Sequence, residues 1–276
     1  MVRRKTVYIL GAGFSDPAGG PNQARLLRYI FNLPDRQPGV RSGKRALRRF
    51  LIEVLNVAPS GVNDVLLEDI YTPIDRCLAD GVALRNKSPA DLQIVRGQME
   101  YLIALAIDRC FRSTSPRAKQ YALEFARSVV AKTSRRAELA IGTDSADAAK
   151  KYDPLSIISL NWDILLDRCL YEELSKQDCG RRGDYDPVGV VDYCCYISSV
   201  DPTDKRVRPG FWTLGARGYN VKLLKIHGSM NWLQCSNCQR LFVAFDGKLN
   251  VPNFVNPRRC RHCGKYRIRA ALEAHS

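Results

Sequence analysis

Three short, β-rich apolar runs each end in a polar turn. Thr6 to Leu10 (TVYIL) runs into Gly11–Ser15, Leu155 to Leu160 (LSIISL) into Asn161–Asp163, and Val221 to Ile226 (VKLLKI) into His227–Ser229. Short apolar runs without strict alternation read as strands buried in a parallel sheet. In an open parallel α/β sheet, ligands bind outside the carboxyl ends of the strands. Three polar clusters at three strand ends therefore predict both an α/β fold and the place of its site.

Between the first two strands the pattern is helical. Residues 36–49 carry six positive charges and no acid, with Pro38, Gly39 and Gly43, and read as a loop running into a helix start. Leu47, Phe50, Leu51, Val54 and Leu55 then recur at helix spacing, as do Val65, Leu66, Ile70 and Ile74. Pro89 to Phe111 is a long third helix with Pro in its first turn, and Pro116 to Leu139 a fourth. This block carries no chemical motif. Residues 178–220, rich in Gly, Pro, Asp and Tyr, read as a long loop.

Four of the ten cysteines form one pattern. Cys235-x2-Cys238 and Cys260-x2-Cys263 are separated by twenty-one residues. Each pair is a turn that aims two thiolates at one point, and two such turns complete a tetrahedral zinc site. His262 lies inside the second turn, but four thiolates already fill the coordination sphere. Zinc thiolates imply a reducing compartment, so the expected location is cytoplasmic. The other six cysteines read as structural; three of them sit in the similar phrases IDRC (74–77), IDRC (107–110) and LDRC (166–169), at unequal spacing that argues against an architectural repeat.

The chain has 276 residues and a formal net charge of +15. With 45% hydrophobic and 26% charged residues it has the composition of a globular protein with a sizeable core. Residues 1–50 hold eleven basic and two acidic residues, and residues 235–276 hold eight and two; the middle is balanced. Basic ends favour anions, whether nucleic acid, anionic lipid or a phosphate-bearing ligand, or they simply solvate the surface. The longest clean apolar stretch, LIALAI (102–107), is far short of the ~20 residues of a membrane span, so no membrane crossing is expected. The opening MVRRKTVYILGAGFS imitates a secretory leader, but its apolar run is short and reads better as the first strand.

Each strand-end cluster has a plain reading beside a functional one. Gly11-x-Gly13 is a tight turn, or it lets backbone N–H groups approach a pyrophosphate; the third glycine of a dinucleotide fingerprint would fall at Asp16, which is not Gly. Asn161 or Asp163 is a helix N-cap, or the pair serves a ribose hydroxyl, a water or a carboxamide. His227 is a packed histidine, or a base suited to neutral pH.

Together these motifs resemble the sirtuin superfamily. Gly11-Ala12-Gly13-Phe14-Ser15 with Gly19-Gly20-Pro21 is similar to its Gly-Ala-Gly-x-Ser…Gly-x-Pro loop, Asn161-Trp162-Asp163 to its Asn-x-Asp strand end, and His227-Gly228-Ser229 to its His-Gly-Ser turn, followed by its four-cysteine zinc ribbon. The order matches over nearly the whole chain. Lys225 to Trp232 (KIHGSMNW) is most similar to the sirtuin-like NAD hydrolases of bacterial anti-phage defence. The resemblance implies a Rossmann-like parallel sheet with an inserted helical block and a zinc ribbon. It divides the chain into 1–35 (first strand and NAD loop), 36–150 (helical insertion), 151–234 (Rossmann core) and 235–276 (zinc ribbon and tail). It implies NAD as substrate and Zn2+ as a structural ion held by Cys235, Cys238, Cys260 and Cys263. Gly11, Ala12, Gly13, Phe14, Ser15 and Pro21 would line the NAD, with Gly228 and Ser229 beside it and Asp163 meeting the nicotinamide carboxamide. Asn161 would hold the ribose or the attacking water, and His227 would be the general base.

Two departures qualify the implied activity. Deacetylases of the superfamily carry Asp-Phe-Arg after the Gly-x-Pro, whereas Pro21 is followed by Asn22-Gln23-Ala24-Arg25. Further, only thirteen residues follow Cys263, and no strand is expected in them, so the adenosine-binding strands of the superfamily would be missing and the chain truncated. The expectation is an NAD hydrolase acting as a defence effector. Its rivals are a partner-dependent module that binds nucleic acid or an effector subunit through the basic ends, and an NAD-dependent protein deacylase. A homo-oligomer is also expected.

Overall fold

The computed structural model describes residues 6–140, 155–177, 187–207, 218–245 and 258–270. The end of the expected helical insertion (141–150), parts of the expected loop (178–186 and 208–217) and the tail 271–276 lie outside them. The chain divides into two compact units, Met1–Pro17 with Ser115–Ser276, and Ala18–Thr114.

The first unit holds an α/β layer. Strands β1 (Thr6–Leu10), β2 (Leu155–Ser159), β3 (Gly189–Asp192) and β5 (Tyr219–Lys225) form a four-stranded sheet in the order β1-β2-β5-β3. All three pairings are parallel. The three strands expected from sequence are present. Strand β3 is not among them; it falls in the stretch read as loop, because GVVD is too short to outweigh its Gly- and Asp-rich surroundings.

One face of this sheet is covered by two helices, α6 (Gln120–Ala140) and α7 (Leu165–Gln177). Leu155, Ile157, Val221 and Leu223 point to this side and are buried. Tyr8, in register with Ile157, meets the Phe125 ring of α6 edge-on. Alternation along the strands sends their neighbours to the other face, where Val7 is 56% and Ile9 68% exposed. The segment after β1 is not a sharp turn. Ala12–Ser15 forms one helical turn (α1), continued by a 3-10 turn over Asp16–Ala18.

The same unit carries a second sheet of five strands in the order β4-β7-β6-β9-β8. These are β4 (Ile197–Ser199), β6 (Trp232–Cys235), β7 (Leu241–Val243), β8 (Arg258–Arg259) and β9 (Tyr266–Ala270). Strand β9 corrects the expectation that no strand follows Cys263. It pairs antiparallel with both β6 and β8. The signal was present, because Tyr266, Ile268 and Ala270 alternate strictly with Arg267 and Arg269.

The second unit is helical: α2 (Gln23–Phe31), α3 (Val40–Arg49), α4 (Leu67–Asp80) and α5 (Pro89–Ser113). Helix α3 begins at Val40, within the stretch expected to be a loop. Gly39, at φ 78°, takes the left-handed turn before it, and Val40, Gly43 and Leu47 are buried along one side. The basic residues of 41–49 are the helix's solvent side. Helix α5 starts with a capping box, in which Ser88 Oγ accepts from Asp91 N and Asp91 accepts from Ser88 N. Gly19 is fixed by packing within this unit. It has φ 81°, and a Cβ there would collide with the Thr114 hydroxyl. Pro21, expected at an NAD loop, lies in this unit next to Asn22, whose side chain accepts from Arg25 N and caps α2.

Candidate functional site

Strands β1, β2 and β5 are adjacent and parallel, so their carboxyl ends emerge together. Leu10 pairs with Ser159, and Ser159 with Lys225. Leu160 N donates to Leu10 O at 2.9 Å and Ile226 N to Ser159 O at 3.3 Å. Beyond this level line stand Gly11, Asn161 and His227, one from each strand end.

Two of these ends are tied by side chains that lie about 150 residues apart in sequence. Ser15 Oγ donates to Asp163 Oδ2 at 2.7 Å. Asn161 Nδ2 donates to Ser15 Oγ at 3.0 Å and to Gly11 O at 2.9 Å. The buried Ser15 hydroxyl thus accepts from one residue and donates to the other, which fixes the orientation of the Asn161 amide. The nitrogen is turned inward and Oδ1 is directed away from these bonds. Asp163 also accepts from Leu165 N at 3.0 Å, so it starts α7 as well; the helix-cap reading and the site reading describe the same carboxylate. Burial pushes the Asp163 carboxyl above its ordinary value, against the opposing pull of Lys225, Ser15 and the Leu165 N–H.

The α1 turn presents backbone to solvent. Phe14 is anchored inward, edge-on to Tyr121 and Phe125, and the Tyr121 hydroxyl donates to its carbonyl. Ala12 and Gly13 are exposed. A Cβ added at Gly11 or Gly13 would meet nothing within 4 Å. The backbone here can be approached closely by a ligand.

At the end of β5, His227 is exposed and Gly228 takes φ 72°. Ser229 turns inward and is fully buried, with its Oγ 3.5 Å from Asp167 Oδ1. It stands in the layer beneath the strand ends, not at the surface with His227.

That lower layer is the feature that sequence reasoning missed. Lys225 Nζ donates to Asp163 O at 2.6 Å and to Asp167 Oδ2 at 3.1 Å. Both side chains of this ion pair are 1% exposed. Tyr193 donates its hydroxyl to Asp167 Oδ1 at 2.8 Å; burial, then the Asp167 charge, holds this phenol well above its usual range, so it remains a donor. A buried ion pair survives only when further hydrogen bonds support it; here Asp163 O accepts a second Lys225 proton, and Tyr193 donates to the other Asp167 oxygen. The signal was present in strand parity. Val221, Leu223 and Lys225 share one face of β5, so a core-facing lysine required a buried acid.

The four cysteines converge. Their Sγ atoms all lie within 4.8 Å of one another, with Cys235–Cys263 at 3.6 Å and Cys238–Cys260 at 3.7 Å. Four sulfurs at ~2.3 Å from one ion in a tetrahedron stand about 3.8 Å apart, so the cluster could hold a metal ion such as zinc. The two turns are built alike. Gln239 N donates to Cys235 O and Gly264 N to Cys260 O; Cys235 N donates to Arg240 O and Cys260 N to Lys265 O. Gln239 (φ 57°) and Gly264 (φ 70°) take the same left-handed step after the second cysteine of each pair. His262 is exposed and stacks on Phe242. Outside the cluster, Cys77, Cys110 and Cys169 sit in α4, α5 and α7, and burial pushes the Cys169 thiol up to about 11.

No known protein family and no curated protein matches this chain. Among the described residues, no helix is long and apolar enough to cross a membrane.

Proposed function

We propose that the chain binds NAD at the carboxyl ends of β1, β2 and β5 and hydrolyses it to ADP-ribose and nicotinamide, as an effector of anti-phage defence. The observation that carries this reading is the hydrogen-bonded set Ser15–Asn161–Asp163. These are the residues for which the resemblance to sirtuin-like NAD hydrolases implies contact with NAD. On this reading the parallel sheet is Rossmann-like, and the cysteine cluster with its five-stranded sheet is a zinc ribbon.

The chemistry asks little of the protein in covalent terms. The bond between the ribose anomeric carbon and the pyridinium nitrogen breaks, and nicotinamide leaves neutral, taking the bonding electrons. No acid is needed for departure. Water adds its oxygen to the anomeric carbon, and the proton it loses passes to His227. The protein must stabilise an oxocarbenium-like state and orient the water. Asn161 is suited to the second task, because Ser15 and the Gly11 carbonyl hold its amide in one orientation and leave Oδ1 to accept from water or a ribose hydroxyl. Asp163 keeps lone pairs for a carboxamide N–H beside those used by Ser15 and Leu165. Open backbone at Gly11 and Gly13 suits a pyrophosphate, and the Cys235, Cys238, Cys260 and Cys263 thiolates would hold Zn2+ as a structural ion.

Deacylation is disfavoured by the residues after Pro21, where Asn22 is used to cap α2. The test is NAD consumption and nicotinamide release by the purified full chain, with Asn161→Ala and His227→Ala as controls. Nicotinamide release that requires an acylated peptide would establish deacylation instead.

A further inference from the structure

Two segments of the cysteine-bearing sheet carry charge of one sign. Residues 228–245 and 258–270 contain seven basic side chains and no acid. Arg240, Arg259, Arg261 and Lys265 are exposed. They are set among flat rings. The Arg240 guanidinium lies 6.0 Å from the ring centre of Tyr196, which is itself 70% exposed. Arg261 lies 5.4 Å over Phe242, on which the exposed His262 imidazole stacks. Between these two groups is a cleft of about 360 Å³, bordered by Tyr196, Ser198, Ser199, Asp201, Lys205 and Arg261. Asp204 also lines it, and both acids are engaged locally. Asp201 caps the turn to Thr203, and Asp204 accepts from Tyr171 and from Arg206 N.

A solvated surface needs charge but has no use for an uncovered tyrosine beside a guanidinium. Positive charge combined with the exposed Tyr196 ring and a polar cleft fits one class of ligand. Phosphates take the guanidinium and ammonium groups, unpaired bases stack on the rings, and hydroxyls in the cleft meet a base edge. Duplex offers the charge but hides its ring faces. We propose that this surface binds single-stranded nucleic acid, with a base against Tyr196 at the cleft and the backbone running over Arg240 and Arg261. This site is separate from the strand ends of the parallel sheet, and the proposal does not depend on NAD hydrolysis.

The experiment is fluorescence anisotropy of the zinc-loaded full chain with labelled twenty-nucleotide oligo(dT) and oligo(U), against duplex of equal length and poly-glutamate. Single strands should bind more tightly than both. If about four phosphates are neutralised, log K should fall with log salt at a slope of roughly −3. Arg240→Glu with Arg261→Glu should lower affinity at least tenfold. Tyr196→Ala should lower it about tenfold through lost stacking, and Tyr196→Trp should restore it. The rescue separates stacking from a structural effect, and retained zinc content shows that the variants fold. Equal affinity for duplex or poly-glutamate would overturn the proposal in favour of plain charge attraction. Binding unchanged in the double Glu variant, or no binding by the folded parent, would overturn it outright.

Discussion

The strand-end cluster and the cysteine cluster both bring distant residues together, but by different physics. Ser15, Asn161 and Asp163 are held by neutral and ionic hydrogen bonds on the rim of a sheet whose core is already formed by Leu155, Ile157, Val221, Leu223 and the helices above them. The site is a product of the fold. Among the described residues, the apolar cluster packed around the cysteines is small: Leu233 and Phe242 with the buried Cys235 and Cys260. Burying Leu233 and Phe242 contributes roughly 1.5–3 kcal/mol each, while ordering each residue costs about 1–2 kcal/mol. Here the fold would be a product of the site, because a metal held by the four cysteines would supply what this small cluster lacks. One region should survive loss of its ligand and the other should not.

Metal removal should therefore give the largest effect and a selective one. Chelation, or Cys260→Ser, should withdraw on the order of 10 kcal/mol of metal-linked folding energy. Hydrogen exchange should then show Leu233 and Phe242 amides losing protection while Ile157 and Leu223 amides keep theirs. Uniform loss in both sheets would mean that the two regions fold as one.

Removing a charge beneath the strand ends should come next. Lys225→Met leaves Asp167 buried and unpaired, which costs about 3–5 kcal/mol. Chemical denaturation should show that loss, with zinc content unchanged. A cost below about 1 kcal/mol would mean that Asp167 reaches solvent or takes a proton.

Ser15→Ala removes one hydroxyl that serves two partners. Stability should fall by about 1–2 kcal/mol, and kcat should fall more than KM rises, because Asn161 loses its fixed orientation. An unchanged kcat would show that the Gly11 carbonyl alone orients the amide.

The smallest effect is a pH dependence. Asp163 has a folded pKa above the ordinary 3.8, chiefly through burial. The folded state then holds the proton more tightly than the unfolded state, so this residue lowers stability as pH rises through that window and has no effect below it. Turnover should show an acid limb with its midpoint above 3.8. Asp163→Asn should move or abolish that limb, and a limb at the same pH in both proteins would assign it elsewhere.

The contrast also explains what could be read from the chain. Short apolar runs with polar stops gave β1, β2 and β5; in β2 and β5 burial explains the composition, whereas β1 is an edge strand with Val7 and Ile9 exposed. The cysteine pairs were plain because ligand spacing is local. Strands β3 and β4 left no such mark, because each is only three or four residues long. Strand β9 left an alternation, and it pairs with both β6 and β8. The Ser15–Asn161 contact spans 146 positions, and no local pattern encodes it. Lys225 with Asp167 was recoverable by parity, but only once the buried face of β5 was known. The basic segment 41–49 misled for the opposite reason. Its charge with Pro38, Gly39 and Gly43 suggested a loop running into a helix start, whereas the helix already begins at Val40.

The central claim is that the strand ends form an NAD-cleaving site. Its most direct test is nicotinamide release from NAD by the zinc-loaded full chain, without acylated peptide, beside Asn161→Ala and His227→Ala. Release by the parent, with a loss of about 10²–10³-fold in Asn161→Ala and a clear loss in His227→Ala at neutral pH, is the predicted result. Turnover unchanged in both variants, or no release by the folded parent, would contradict it.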